Sequence, residues 1–87
     1  MAYLYILYSE STDKYYVGAT NDLDERLRRH QLDNDKYTSK GKPWVLVYKE
    51  EYPTKADAMK REREIKAKKS RKYIEYLIEH PDAYRGG

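Results

Sequence analysis

Tyr3-Leu4-Tyr5-Ile6-Leu7-Tyr8 and, after a polar run, Tyr15-Tyr16-Val17-Gly18-Ala19-Thr20 are the two segments whose reading decides the fold. The first is aromatic and aliphatic throughout, too short for a helix and rich in residues that favour strands. Between them, Ser9-Glu10-Ser11-Thr12-Asp13-Lys14 carries turn chemistry, so the pair reads as a β-hairpin. A register that matches Tyr8 with Tyr15 also pairs Leu7 with Tyr16 and Tyr5 with Gly18. Because strand side chains alternate between faces, Tyr5 and Tyr16 then share one face as diagonal neighbours. Gly18 beside them carries no side chain, which predicts a place where a ligand backbone can come close.

Working outward, Asn21 or Asp22 can cap a helix, with Glu25 completing a capping box. Leu23 and Leu27 form its buried stripe, and the helix runs to about Gln31. Asp33 to Pro43 reads as a loop, and Trp44-Val45-Leu46-Val47-Tyr48 as a third strand ended by Pro53. Thr54 and Asp57 open a second helix carrying Ala58, Met59 and Ile65. Ser70 caps a third helix, whose buried side is Tyr73, Ile74, Leu77 and Ile78 and whose stop is His80-Pro81. Residues 82–87 read as a frayed tail. The order is ββαβαα, an α+β fold in which a small, antiparallel-rich, three-stranded sheet is flanked by helices.

Eighty-seven residues make one domain, and with 38% charged and 39% apolar residues its core is thin. No apolar run approaches the ~18 residues of a membrane helix. The N-terminal residues lack the pattern of a signal peptide, and without cysteine there is no disulfide or thiolate metal site. These features predict a soluble cytoplasmic protein. Net charge is +3 overall, yet between Lys55 and Lys72 nine basic residues face three acids. Such a stripe, with Lys60, Arg63, Lys66, Lys68, Lys69 and Arg71 as its candidate contacts, is a footprint of phosphate-backbone binding. A solvated lysine-rich helix accounts for it equally well.

The two tripeptides Tyr3-Leu4-Tyr5 and Tyr16-Val17-Gly18 resemble those that give the GIY-YIG superfamily its name, the first without the family's initial glycine. The resemblance continues through Thr20, Leu23, Arg26 and His30 to Glu62, with Lys42-Pro43-Trp44 and Glu62 to Lys66 most similar to small stand-alone bacterial members. The endonuclease domain of an excinuclease is more distantly similar. The fold that the resemblance implies agrees with ββαβαα. The function it implies is a metal-dependent endonuclease acting on nucleic-acid phosphodiesters, DNA before RNA, with low sequence specificity.

Particular residues acquire roles from the resemblance. Tyr5 and Tyr16 are both candidates to take a proton from an attacking water, and Arg26 and His30, one helical turn apart, face the same side. Arg26 suits a scissile phosphate whose charge grows during cleavage. Taken alone, Arg26 reads as an ion-pair partner of Asp22 and His30 as a helix-end histidine. Glu62 sits at helical spacing from Ala58, Met59 and Ile65, so a carboxylate lies on the apolar stripe, where it needs a partner or a metal. The resemblance makes it the carboxylate that holds Mg²⁺ or Mn²⁺; a salt bridge, to Arg26 for instance, is the structural alternative. Lys66 to Tyr73 contains no asparagine, although many catalytic relatives carry one shortly after this helix. A nucleic-acid-binding module with a weak or inactive site, or an adaptor using the basic helix for a protein partner, would keep the same fold.

Overall fold

A computed structural model of the chain describes residues 1–32 and 43–81, with the side chains of 30–32 left aside. Its elements are β1 (Ala2–Ser9), β2 (Lys14–Thr20), α1 (Leu23–Leu32), β3 (Trp44–Tyr52), α2 (Lys55–Lys68) and α3 (Arg71–Glu79). The order is the predicted ββαβαα. The expected loop from Asp33 falls, up to residue 42, outside the described residues, as does the expected tail at 82–87.

Both sheet pairings are antiparallel, and the strand order is β2-β1-β3. β1 is therefore central, which explains its uninterrupted apolar sequence: helices cover both of its faces, and Leu4, Tyr5, Ile6 and Leu7 are all fully buried. The β1–β2 register pairs Tyr8 with Tyr15, Leu7 with Tyr16 and Tyr5 with Gly18, as the hairpin reading requires. The loop is closed by Asp13, which adopts a positive φ of 54° and accepts a hydrogen bond from the Tyr8 hydroxyl at 2.6 Å.

Alternation then divides the core. Leu4, Ile6, Val17 and Tyr48 point to the face where Ile65 of α2 and Leu77 of α3 pack. Tyr5, Leu7 and Trp44 point the other way and meet Leu23 and Leu27 of α1. Caps stand where the sequence puts them: the backbone N–H groups of Glu25, Asp57 and Tyr73 donate to the side chains of Asp22, Thr54 and Ser70. Only half of the first capping box forms, because the Glu25 carboxylate turns to Arg28 at 2.6 Å.

The candidate site on the tyrosine hairpin

The hairpin register places the Tyr5 and Tyr16 rings side by side, their centroids 6.3 Å apart and their planes 27° from parallel. Tyr16 also meets the edge of the buried Trp44, with centroids 6.2 Å apart, which fixes it from the β3 side. Tyr5 is fully buried and Tyr16 half-buried. Gly18 differs from its expected use. A Cβ built there would lie 2.5 Å from the Tyr5 hydroxyl oxygen and 2.6 Å from its Cζ. The close approach at Gly18 is that of the Tyr5 phenol, so the missing side chain makes room for the tyrosine and not for a ligand backbone.

Arg26, half-buried on α1, stands near enough to the Tyr5 phenol to favour its ionised form, and the charge of Glu62 on α2 acts on the same phenol in the opposite sense. Burial pushes the Tyr5 phenol well above the ordinary tyrosine range. The neighbouring Tyr16 adds to that rise and Arg26 opposes it. Three residues, from β2, α1 and α2, thus gather around the one phenol of β1. The Asp22 carboxylate is occupied with the cap of α1, so the ion pair that Arg26 taken alone suggested gives way to a place beside Tyr5. His30 belongs to the last turn of α1, but its side chain lies outside the described residues.

On α2 the sequence reading needs correction. The buried residues are Ala58, Arg61 and Ile65, while Met59 is 42% exposed, so the apolar stripe lies one position away from where Met59 put it. Glu62 flanks that stripe, with its side chain 23% exposed and its carboxylate 2.6 Å from Lys66 Nζ one turn on. It is neither a buried lone carboxylate nor the partner of Arg26. Its donor set fits a hard divalent ion that keeps most of its water, because one partly open carboxylate is what such an ion asks of a protein. Among the described residues no group of three or more acidic or histidine side chains offers a fuller cage.

The buried charge of α2 is Arg61. Its Nε lies 3.1 Å from Glu50 on β3, the two side chains being 9% and 8% exposed, and Tyr48 and Tyr52 donate their hydroxyls to the same carboxylate. Sequence reasoning did not find this network. Its signal is the alternation Tyr48, Glu50, Tyr52 on one face of a strand, together with an arginine at helical spacing from Ala58 and Ile65. The network also breaks up the basic stripe. Arg61 faces the core, Lys66 pairs with Glu62, and Arg71 spends its guanidinium on Asp13 (2.6 and 2.8 Å) and Glu75 (3.2 Å). Lys60, Arg63, Lys68 and Lys69 remain exposed, divided between α2 and the junction that leads into α3.

This fold and tyrosine cluster define a class. A profile described as the GIY-YIG catalytic domain matches residues 1–74. The chain belongs to this nuclease family. A UPF0213 protein of Streptococcus sanguinis is 39% identical over 80 residues, covering 90% of each chain. One of Limosilactobacillus reuteri is 35% identical over 81 residues, covering 90% of this chain and 83% of the relative. The solution NMR structure of a UPF0213 protein from Bacillus halodurans superposes with a TM-score of 0.56 at 35% identity, covering 100% of this chain and 88% of that one. No helix among the described residues is long and apolar enough to cross a membrane.

Proposed function

We propose that the protein is a metal-dependent endonuclease that hydrolyses nucleic-acid phosphodiesters, DNA in preference to RNA, with little sequence specificity, in the cytoplasm. The single observation that carries this reading is the convergence on the buried Tyr5 phenol of Tyr16, stacked alongside, and of Arg26 and Glu62, both within electrostatic reach. Arg26, half-buried on α1, meets the scissile phosphate with a positive charge that the fold already holds in place. Tyr5, kept protonated by burial, serves to position that arginine. Tyr16 is the more open ring and therefore the better candidate to take the proton from the attacking water, with His30 assisting. The oxygen of that water bonds to phosphorus as the bond to the 3′-oxygen breaks, leaving a 5′-phosphate and a 3′-hydroxyl. Glu62 would hold Mg²⁺ or Mn²⁺ in exchange for its ion pair with Lys66. A bound ion of this kind supplies positive charge against the phosphate and leaving oxygens.

Cleavage of plasmid or branched DNA by wild type, Arg26→Ala and Glu62→Ala in Mg²⁺ or Mn²⁺ tests this reading. Loss of a phosphate-stabilising donor is expected to slow cleavage by about 10²–10³-fold. Three proteins of equal rate would sink the proposal. The ion pair between Glu62 and Lys66 favours a second reading, a nucleic-acid-binding module with a weak or inactive site. That reading expects salt-dependent binding and no cleavage with either ion.

A further inference from the structure

A groove of about 540 Å³ runs beside β2, between the strand and the junction of α2 with α3. Its volume lies within the ~300–1,000 Å³ of small-molecule sites. The base of the groove is apolar, made by Val17, Ile65 and Ile74, with Tyr15 beside it and Tyr16, whose ring turns to the other face of the sheet, at its edge. Lysines stand around it: Lys14, Lys66 and Lys69. The one carboxylate in the lining, Asp13, is already held by Arg71 and by the Tyr8 hydroxyl, each at 2.6 Å, so it does not oppose an anion with a free charge. Among the described residues, Lys14 and Lys69 enter no ion pair.

Lys69 has a second peculiarity. It caps α2 in the left-handed region, with φ 48° and ψ 39°, and its N–H donates to Lys66 O at 3.2 Å. Glycine is the residue this geometry favours, and a lysine there is strained. Strain retained at the mouth of a cationic groove points to a use for the side chain. An apolar, aromatic base beneath a ring of lysines matches one chemistry well: a flat heterocycle joined to a phosphate.

We propose that this groove takes one unpaired nucleotide of the substrate strand, its phosphate on Lys14 and Lys69 and its base over Val17 and Ile74. The proposal rests on the reading of the protein as one that acts on nucleic acid. Because Lys66 lines the groove and holds Glu62 of the tyrosine cluster, the held nucleotide would neighbour the bond to be cut. Strands with unpaired or frayed nucleotides beside the cleavage point are then preferred over continuous duplex.

The test measures binding of a labelled single-stranded oligonucleotide and of the matching duplex without divalent metal, as a function of salt. The proteins are wild type, Lys14→Ala, Lys69→Gly and Lys49→Ala. The last removes the same charge from β3, at the opposite edge of the sheet, and sets the general electrostatic loss. Wild type is expected to bind the single strand more tightly than the duplex. Lys14→Ala and Lys69→Gly should each lower the salt slope by about one beyond the control and erase that preference. Lys69→Gly should meanwhile hold or raise the melting temperature, since glycine relieves the left-handed strain, so weaker binding cannot be ascribed to unfolding. Wild-type binding that both groove variants share unchanged overturns the groove and leaves the nuclease reading standing. Absence of wild-type binding to either oligonucleotide overturns both.

Discussion

At Gly18 the phenol of Tyr5 fills the space where any other residue would carry its Cβ, and the consequences are specific. Gly18→Ala puts a methyl 2.5 Å from the Tyr5 hydroxyl oxygen, on a ring that is fully buried and lies beside Arg26. The ring has to shift, at a cost of about 1–3 kcal/mol for an overfilled core. Arg26 loses its neighbour as it does so. Thermal denaturation should show that loss, and cleavage should fall by more than the fraction unfolded explains; a variant with wild-type activity would remove Tyr5 from the site. Arg61 makes the complementary case, since its importance lies in the carboxylate it neutralises. Arg61→Leu leaves Glu50 buried against two phenol hydroxyls with no cation, and removal of one partner from such a pair costs about 3–5 kcal/mol. Chemical denaturation would measure it, and a change under 1 kcal/mol, roughly the value of an exposed pair, would show that the network carries no special weight.

Among the elements, α2 matters most, because it carries Glu62 to the tyrosine cluster while Ala58, Arg61 and Ile65 fasten it to the sheet. Its N-cap is Thr54, whose hydroxyl accepts from Asp57 N at 3.2 Å. Thr54→Ala should cost about 1 kcal/mol, read as a lowered denaturation midpoint, with Thr54→Ser restoring most of it. If the alanine variant were as stable as wild type, water would be satisfying the first turn equally well. The caps and the hairpin were legible in the sequence because each is a local signal. Asp22, Thr54 and Ser70 stand immediately before periodic apolar runs, and the Tyr8–Tyr15 match follows from the polar turn between them. The orientation of α2 was not legible. Met59, being apolar, reads as inward and Arg61 as one more charge of the basic stripe, whereas a buried partner on β3 turns Arg61 in and Met59 out. Glu50 lies eleven positions from Arg61, and no helical or strand period links the two. That Tyr5, Tyr16, Arg26 and Glu62 belong together was legible only through the family likeness. The role of Gly18 was not, since it depends on a ring packing across strands.

For the molecule as a whole, a thin core built with tyrosine in place of phenylalanine makes stability sensitive to alkali. Tyr5, Tyr48 and Tyr52 are all raised above the ordinary value of 10.0, burial leading in each, and hydrogen bonds to Glu50 adding to it for the last two. A phenol held protonated by the fold contributes stability that is complete below its unfolded value and is lost as pH climbs toward the folded one. Stability is therefore expected to be insensitive to these phenols below pH 10 and to fall above it. Tyrosinate absorbance should show some of the eleven tyrosines ionising only together with unfolding. If all eleven ionise as one class while the far-UV circular dichroism is unchanged, these phenols are not buried as described. The same packing leaves Tyr16 half-buried at the edge of the cluster, with Arg26 acting on its neighbour Tyr5. The most direct measurement is the rate at which the purified protein cleaves DNA in Mn²⁺, with Arg26→Ala prepared and assayed alongside. A site organised around Arg26 and Tyr5 should cut, and the alanine variant should be slower by about 10²-fold or more. Identical rates for the two proteins, or no cleavage by wild type of any DNA it binds, would contradict the assignment of this cluster as a nuclease centre.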